Sequence, residues 1–190
     1  FIESFSHLPS IGPRLATRLG FYLTGLDKNE IGNIELAIAG LKNLSRCKQC
    51  FFIKSGPGLC RICSDPKRDK FTIAIIEKET DLISLEKTGS YQGHYLILGE
   101  LPERGIIEPS QKLKLQHLND RINKELGGKI NEIIIALNPN TFSDFAADMI
   151  KNEFAGLAQK ITRLGRGIPT GGEIEFADED TLNQALSRRI

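Results

Sequence analysis

The sequence predicts an α/β protein: a helical head, a small cysteine-rich module, a parallel β-sheet with flanking helices, and a C-terminal tail. Three observations predict it. Short, continuously apolar runs, FTIAII (71–76), HYLILG (94–99) and EIIIAL (132–137), alternate with stretches of helical periodicity. Strands buried on both faces of a parallel sheet read this way. All four cysteines fall within CKQCFFIKSGPGLCRIC, residues 47–63. Ahead of them the apolar residues recur at helical spacing.

In chain order, FIESFSHL (1–8) is apolar at Phe1, Ile2, Phe5 and Leu8 and predicts a short helix. PSIGP (9–13) breaks it, because two prolines and a glycine do not continue a helix. Pro13 suits the first turn of the next helix. That helix carries Leu15, Leu19, Tyr22 and Leu23 on one face and Arg14 and Arg18 on another. Residues 28–44 predict a third helix, with Ile31, Ile34, Ile38 and Leu41 as its apolar stripe. The cysteines follow, then the polar linker DPKRDK (65–70). Strand 71–76 leads into the helix ETDLISLEKTG, strand 94–99 into a helix over 111–126, and strand 132–137 into a helix from about 143 to 157. QKITRL (159–164) is the fourth strand, and ADEDTLNQALSRR closes the chain as a short helix. The expected boundaries are 1–44, 45–70, 71–165 and 166–190.

Of 190 residues, 40% are hydrophobic and 26% charged, the balance of a globular chain. The apolar run IIIAL is far shorter than a membrane span, and no signal-peptide core occurs. The expected address is the cytoplasm, where disulfides are disfavoured and clustered cysteines read as a metal or redox site. The chain opens on FIESF without Met, so a short preceding segment is expected. Net charge is +1, but unevenly spread: residues 1–70 hold eleven Lys/Arg against six Asp/Glu, and residues 71–190 hold fourteen against eighteen. A basic head and an acidic body suggest nucleic acid on one side and a basic partner, or metal, on the other; ordinary surface scatter is the alternative.

Cys47, Cys50, Cys60 and Cys63 form two Cys-x-x-Cys pairs around Gly56-Pro57-Gly58. Four thiolates satisfy tetrahedral Zn²⁺, and each pair lets two sulfurs converge from one tight knuckle. A full set of protein ligands leaves no open position, so a four-cysteine zinc finger is structural. Apparent binding of roughly 10–16 kcal/mol implies that the segment unfolds without its metal. An iron–sulfur cluster and a redox dithiol are the rivals; the latter does not account for the second pair.

LPSIGPRLATRL carries a second signal. A helix, a Pro-x-x-Gly turn and a helix with a basic first turn outline a helix-hairpin-helix. Unpaired N–H groups and the dipole at the start of the second helix favour an anion there. Arg14 and Arg18 could close on a DNA phosphate without reading sequence. Lys28, Arg46, Lys48 and Lys54 are further candidates, basic but without a motif. An ordinary helical hairpin with solvated arginines is the alternative.

Taken in order, LPSIGPRLATRL, the four cysteines, IAIIEKETDLISLEKTGSYQGHYLILG, IIIALNPNTFSDFAA and TRLGRGIPTGGEIEFADEDTLNQALSRR resemble the RecR family of bacterial recombination mediator proteins over essentially the whole chain. The resemblance implies a helix-hairpin-helix, a zinc finger, a Toprim domain and a C-terminal tail. It implies homodimers or ring-like homotetramers that encircle DNA, nucleoid-associated in a bacterial cytoplasm. Such proteins work with RecO and RecF partners to load recombinase at gapped or single-stranded DNA. Some residues depart from the family pattern. Ser10 stands where the hairpin usually has glycine, which accepts φ > 0 more freely. Arg14 replaces a lysine. ELPERGIIEPSQ is more charged than the usual loop, and Ser143-Asp144 replaces Gly-Glu.

Toprim enzymes hold Mg²⁺ with a Glu after the first strand and an Asp-x-Asp after a later one. Glu77 matches the first, but Leu137-Asn138-Pro139-Asn140 lacks both aspartates, and neutral amides do not replace carboxylates around Mg²⁺. The expectation is a non-catalytic scaffold in which Glu77, Asp81 and Asp144 form an acidic patch for a RecO-type partner. His7, His94 and His117 are scattered beside apolar residues and read as packed or surface histidines. GRGIPTGG lacks the Lys-Ser/Thr of a phosphate loop and reads as a turn. The competing functions are a Mg-dependent Toprim nuclease or primase-like enzyme, and a zinc-stabilised interaction module without DNA contact.

Overall fold

A computed structural model describes residues 1–102, 106–139, 141–165 and 167–187. Glu103 to Gly105 of the charged loop, Asn140, Arg166 of the GRGIPTGG turn and residues 188–190 lie outside the described residues, as does the Thr141 side chain. The chain divides into two compact units, Phe1–Ser45 and Arg46–Ile190.

The first unit holds α1 (Ile2–Ser6), α2 (Pro13–Thr24) and α3 (Lys28–Gly40), followed by a single 3-10 turn, Leu41–Asn43. The third helix is therefore shorter than its apolar stripe predicts. It begins on a reciprocal cap: Asp27 accepts from the N–H groups of Asn29 (2.7 Å) and Glu30 (2.9 Å), and Glu30 accepts from that of Asp27 (3.1 Å). Between α1 and α2 the chain turns through Ser10 at φ 63°. Extended Gly12 (φ −85°, ψ 171°) then caps α2, with Pro13 as its first residue. Ala16 is the one buried residue of α2, and α1 and α3 have none. Half of the expected α2 face is exposed, Tyr22 at 65% and Leu15 at 41% accessible, while Leu19 and Leu23 are half-buried.

Two three-residue strands, β1 (Leu44–Arg46), which spans the boundary, and β2 (Ile53–Ser55), bracket the first cysteine pair in sequence. The main sheet follows as β3 (Asp69–Ile76), α4 (Glu79–Lys87), β4 (Gly93–Ile97), α5 (Pro109–Glu125), β5 (Ile130–Ala136), α6 (Thr141–Glu153) and β6 (Ala158–Arg163). Its order is β4-β3-β5-β6 and every pairing is parallel, with Ile73 opposite both His94 and Ile133. The β3–β4 register shifts between Asp69 and Ile73. There Gly93 is obligatory, because a Cβ would collide with the Thr72 carbonyl oxygen and the Tyr91 ring. The sixth helix ends earlier than its sequence suggests, before Gly156 at φ 90°.

Right-handed crossovers place α4 on one face, since β3→β4 runs one way along the sheet, and α5 and α6 on the other. The core splits accordingly. Ile73, Ile75, Leu96, Leu98, Ile133 and Ile135 pack with α5 and α6 residues such as Leu118, Ile122, Ala147 and Ile150. Ala74, Ile76, Tyr95, Ile97 and Ala136 pack with Leu82 of α4 and all four cysteines. Burial on both faces thus describes β3 but not β6, whose Gln159, Lys160 and Arg163 are exposed. On the α4 side of that edge Glu132 accepts from Thr162 (2.7 Å) and pairs with Lys160 (3.5 Å). The tail carries a 3-10 turn, Ile174–Phe176, and α7 (Glu179–Ser187). Among the described residues no helix is long and apolar enough to cross a membrane.

Candidate metal centre and the carboxyl end of the sheet

Each cysteine pair sits on a tight knuckle. In the first, the Phe51 N–H reaches the Cys47 carbonyl (3.0 Å), the Cys47 N–H reaches that of Phe52 (2.8 Å), and Phe51 turns back at φ 65°. In the second, the Ser64 N–H reaches the Cys60 carbonyl at 3.0 Å. The four sulfurs lie within 4.8 Å of one another, are buried, and form no disulfide. Sulfurs about 2.3 Å from a tetrahedral ion would lie about 3.8 Å apart. Backbone N–H groups of Phe52, Cys60 and Cys63 point at the sulfurs of Cys50, Cys47 and Cys60, at 3.4, 3.4 and 3.5 Å. Hydrogen bonding to its neighbours drives the Cys60 thiol down, while hydrogen bonding and burial push Cys50 and Cys63 up. Four thiolates so close together need a cation among them, and the donor set fits a structural metal ion.

This module is built into the sheet. The Cys50 carbonyl accepts from the Ile97 N–H at 2.9 Å, closing the edge of β4. Phe51 packs toward both core clusters, with the His117 ring 5.6 Å away and Lys114 Nζ 5.4 Å from its centroid. The polar linker holds a second tie. Arg68 pairs closely with Glu86 of α4 and donates to the Gly93 carbonyl at 2.9 Å. Tyr95 Oη donates to the same Glu86 at 2.7 Å. No motif announces these residues; an arginine in a linker and a glutamate on an amphipathic helix become partners only through the β3-α4-β4 crossover.

At the carboxyl end of the sheet Glu77 is 5% exposed and accepts the backbone N–H of Asn138 at 2.6 Å. Asp81 caps α4, accepting from the Lys78 N–H at 2.8 Å. Asp144 pairs closely with Arg163 at the end of β6. The structure does not gather these three into one cleft. Glu77 lines a space of about 270 Å³ with Arg46, Lys78, Glu79, Glu100 and Lys114. Asp144 lines another of about 480 Å³ with Arg163, Leu137, Asp178 and Asp180. In the first cleft charges pair off: Arg46 with Glu79 at 2.8 Å, and Lys78 with Glu100. Burial would raise the Glu79 carboxyl, but backbone hydrogen bonding and Arg46 outweigh it and hold it below the usual range. Burial and then Arg46 lower the Lys114 ammonium.

The basic candidates fall into two groups. Arg14 and Arg18 are exposed on α2, one turn apart, and make no ion pair among the described residues. Lys28 opens α3 beside an apolar groove of about 1100 Å³ lined by Phe1, Phe5, Phe21, Ile31 and Ile34. In the second unit Lys48 is exposed, whereas Arg46 and Lys54 are engaged. Arg46 holds the Phe51 carbonyl (3.0 Å) as well as Glu79, and Lys54 donates to the Gly56 carbonyl.

Comparison with known proteins adds two family matches, "Toprim domain" over residues 72–165 and "RecR, C-terminal" over residues 167–190. Proteins called recombination protein RecR are similar along almost the whole chain. That of Chloroflexus aggregans is 39% identical, covering 99% of this chain and 90% of its own. That of Bifidobacterium animalis subsp. lactis is 40% identical, with 99% and 92% covered. That of Frankia casuarinae is 34% identical, with 99% and 93% covered.

Proposed function

The chain belongs to the RecR family of recombination proteins, with a role in recombinational repair, and from that premise we propose a non-catalytic, DNA-binding mediator. The observation that carries the reading is the hairpin. Gly12 caps α2 without a side-chain hydrogen bond, and Arg14 and Arg18 stand exposed beside it. A helix start of this kind, with two guanidinium groups, suits a phosphate and carries no base readout. Lys28 and Lys48 would add general attraction. Arg46 and Lys54 are weaker contacts, since each already has an internal acceptor.

The cysteine set would hold one Zn²⁺ per chain as a structural ion. It supplies no chemistry beyond fastening the knuckles. The reading against catalysis rests on the sheet's carboxyl end: Glu77 bonds the Asn138 backbone, and Asn138, two residues past β5, offers an amide in place of an aspartate. Asp81 and Asp144 would receive a basic partner, RecO-type and with it RecF-type, in loading recombinase at gapped or single-stranded DNA. The apolar groove of the first unit supports association of copies into a dimer or ring-like tetramer. The setting would be the cytoplasm, at the nucleoid.

Gel shifts on single-stranded, gapped and duplex DNA at two salt concentrations test the reading, with a divalent-cation turnover assay on the same substrates. Salt-sensitive binding without turnover is expected. Mg²⁺-dependent cleavage or primer synthesis would favour the Toprim-enzyme alternative, and absence of binding at low salt would favour an interaction module.

A further inference from the structure

Toward the amino end of the sheet the core contains a buried cation with two nitrogens short of a hydrogen bond among the described residues. Arg121, near the end of α5, is 5% exposed, and its Nη2 lies 3.0 Å from Nδ1 of His94, itself 4% exposed. Nε and Nη1 of the same guanidinium have no hydrogen-bond partner among the described residues. One turn along, the largely exposed Glu125 carboxylate lies 3.8 Å from Nε. A guanidinium has donors only, so this contact requires a lone pair on Nδ1 and therefore a neutral His94 with its proton on Nε2. A proton on Nδ1 would set donor against donor and charge against charge.

Of the two residues, Arg121 is the one able to leave. His94 is fixed in β4, paired with Ile73, with its carbonyl accepting from Tyr91 Oη at 2.7 Å. Arg121 has a long side chain and an exposed carboxylate one turn away. We propose that His94 and Arg121 form a proton-operated latch. Neutral His94 holds the guanidinium inside and fastens the end of α5 to β4, and a proton on His94 releases it toward Glu125. Leu118, Ile122 and Leu126 remain packed, so the release frays one helix end and leaves the unit folded.

The charges around His94 favour the closed state. Burial, then Arg121 and Arg68, oppose its protonation, while Cys60 and Asp69 favour it; the balance holds the imidazole below its ordinary value. An unfolded histidine takes up its proton near about pH 6.5. The latch therefore contributes fully above that pH, and its contribution fades as pH falls from there through the lower native value.

The test uses the full chain with its metal, content checked at each pH. Ring-nitrogen shifts of His94 and hydrogen exchange of amides 119–126 are followed between about pH 7.5 and 5.5. The expected result is an Nε2–H tautomer at neutral pH and titration below the ordinary value. Exchange, corrected for intrinsic rates, should be about tenfold faster at the acid end, with the same midpoint as the His94 titration. His94→Gln, which cannot take the proton, should abolish the pH dependence, whereas His117→Gln should leave it. If His94→Gln does not fold, Arg121→Met serves: His94 should then titrate higher than in the wild type, still held below its ordinary value by burial, and exchange should lose its pH dependence. An Nδ1–H tautomer, an ordinary His94 titration in the wild type, or a pH dependence that survives His94→Gln or Arg121→Met would each overturn the proposal.

Discussion

Ser10 shows how one residue carries a backbone requirement that its type disfavours. Its φ of 63° lies in the left-handed region, so serine has not opened the hairpin; it holds the turn under strain. Ser10→Gly should stabilise the first unit by about 0.5–1 kcal/mol, because relief of strain exceeds the added freedom of the unfolded chain. Urea denaturation followed by hydrogen exchange in residues 13–24 measures it; no gain would mean that the turn carries no strain. Arg14→Ala with Arg18→Ala should flatten the salt dependence of DNA binding, by about 0.9 in log–log slope for each duplex phosphate that the arginines no longer neutralise. An unchanged slope would remove both from the interface. Glu77 is a different kind of acidic residue from Asp81 and Asp144. It is buried on a backbone N–H, so reversing its charge attacks the fold before it attacks a partner. The partner test therefore uses Asp81→Asn and Asp144→Asn together, with affinity for a RecO-type protein falling and DNA affinity retained.

Among the elements, the cysteine module behaves as part of the sheet. Cysteine side chains share a core with β3, β4 and α4, and the Cys50 carbonyl closes the β4 edge. Chelation should therefore lower the melting temperature of the whole Arg46–Ile190 unit in a single transition, with one metal ion released per chain. Of the roughly 10–16 kcal/mol typical of such sites, a loss of several should be visible by calorimetry with metal analysis. A sheet that melts unchanged after the metal has gone would show the two to be independent. The strand pattern in the sequence located this unit well, because a strand buried on both faces has no polar alternation to confuse it. Helix ends were less legible. Residues 41–44 and 154–157 continue an apolar rhythm after the helix has stopped, since hydrophobic spacing records burial and not hydrogen bonding.

Across the molecule, the Phe1–Ser45 unit stands out for how little it buries. Phe21, Tyr22, Leu36 and Ile38 are each more than half exposed, and Ala16 is the only residue of its three helices below the surface. Three short helices do not close a core alone, and a second copy seated on the groove would supply the missing contact. Phe21→Glu with Ile34→Glu should lower the solution mass by one association step in light scattering, and an unaltered mass would place the assembly surface elsewhere.

The succession of strands and helices, the four clustered thiols and the two arginines at the start of α2 are legible in the chain as written, because each is a matter of local spacing, and the order of the motifs carries the resemblance to the family. Folding in three dimensions added the rest: the thiols join the sheet's core, Glu77 and Asp144 line separate clefts, Arg68 meets Glu86, and Arg121 meets His94. These pairings join distant parts of the sequence. They arise from crossover handedness and register, which a periodic pattern does not encode.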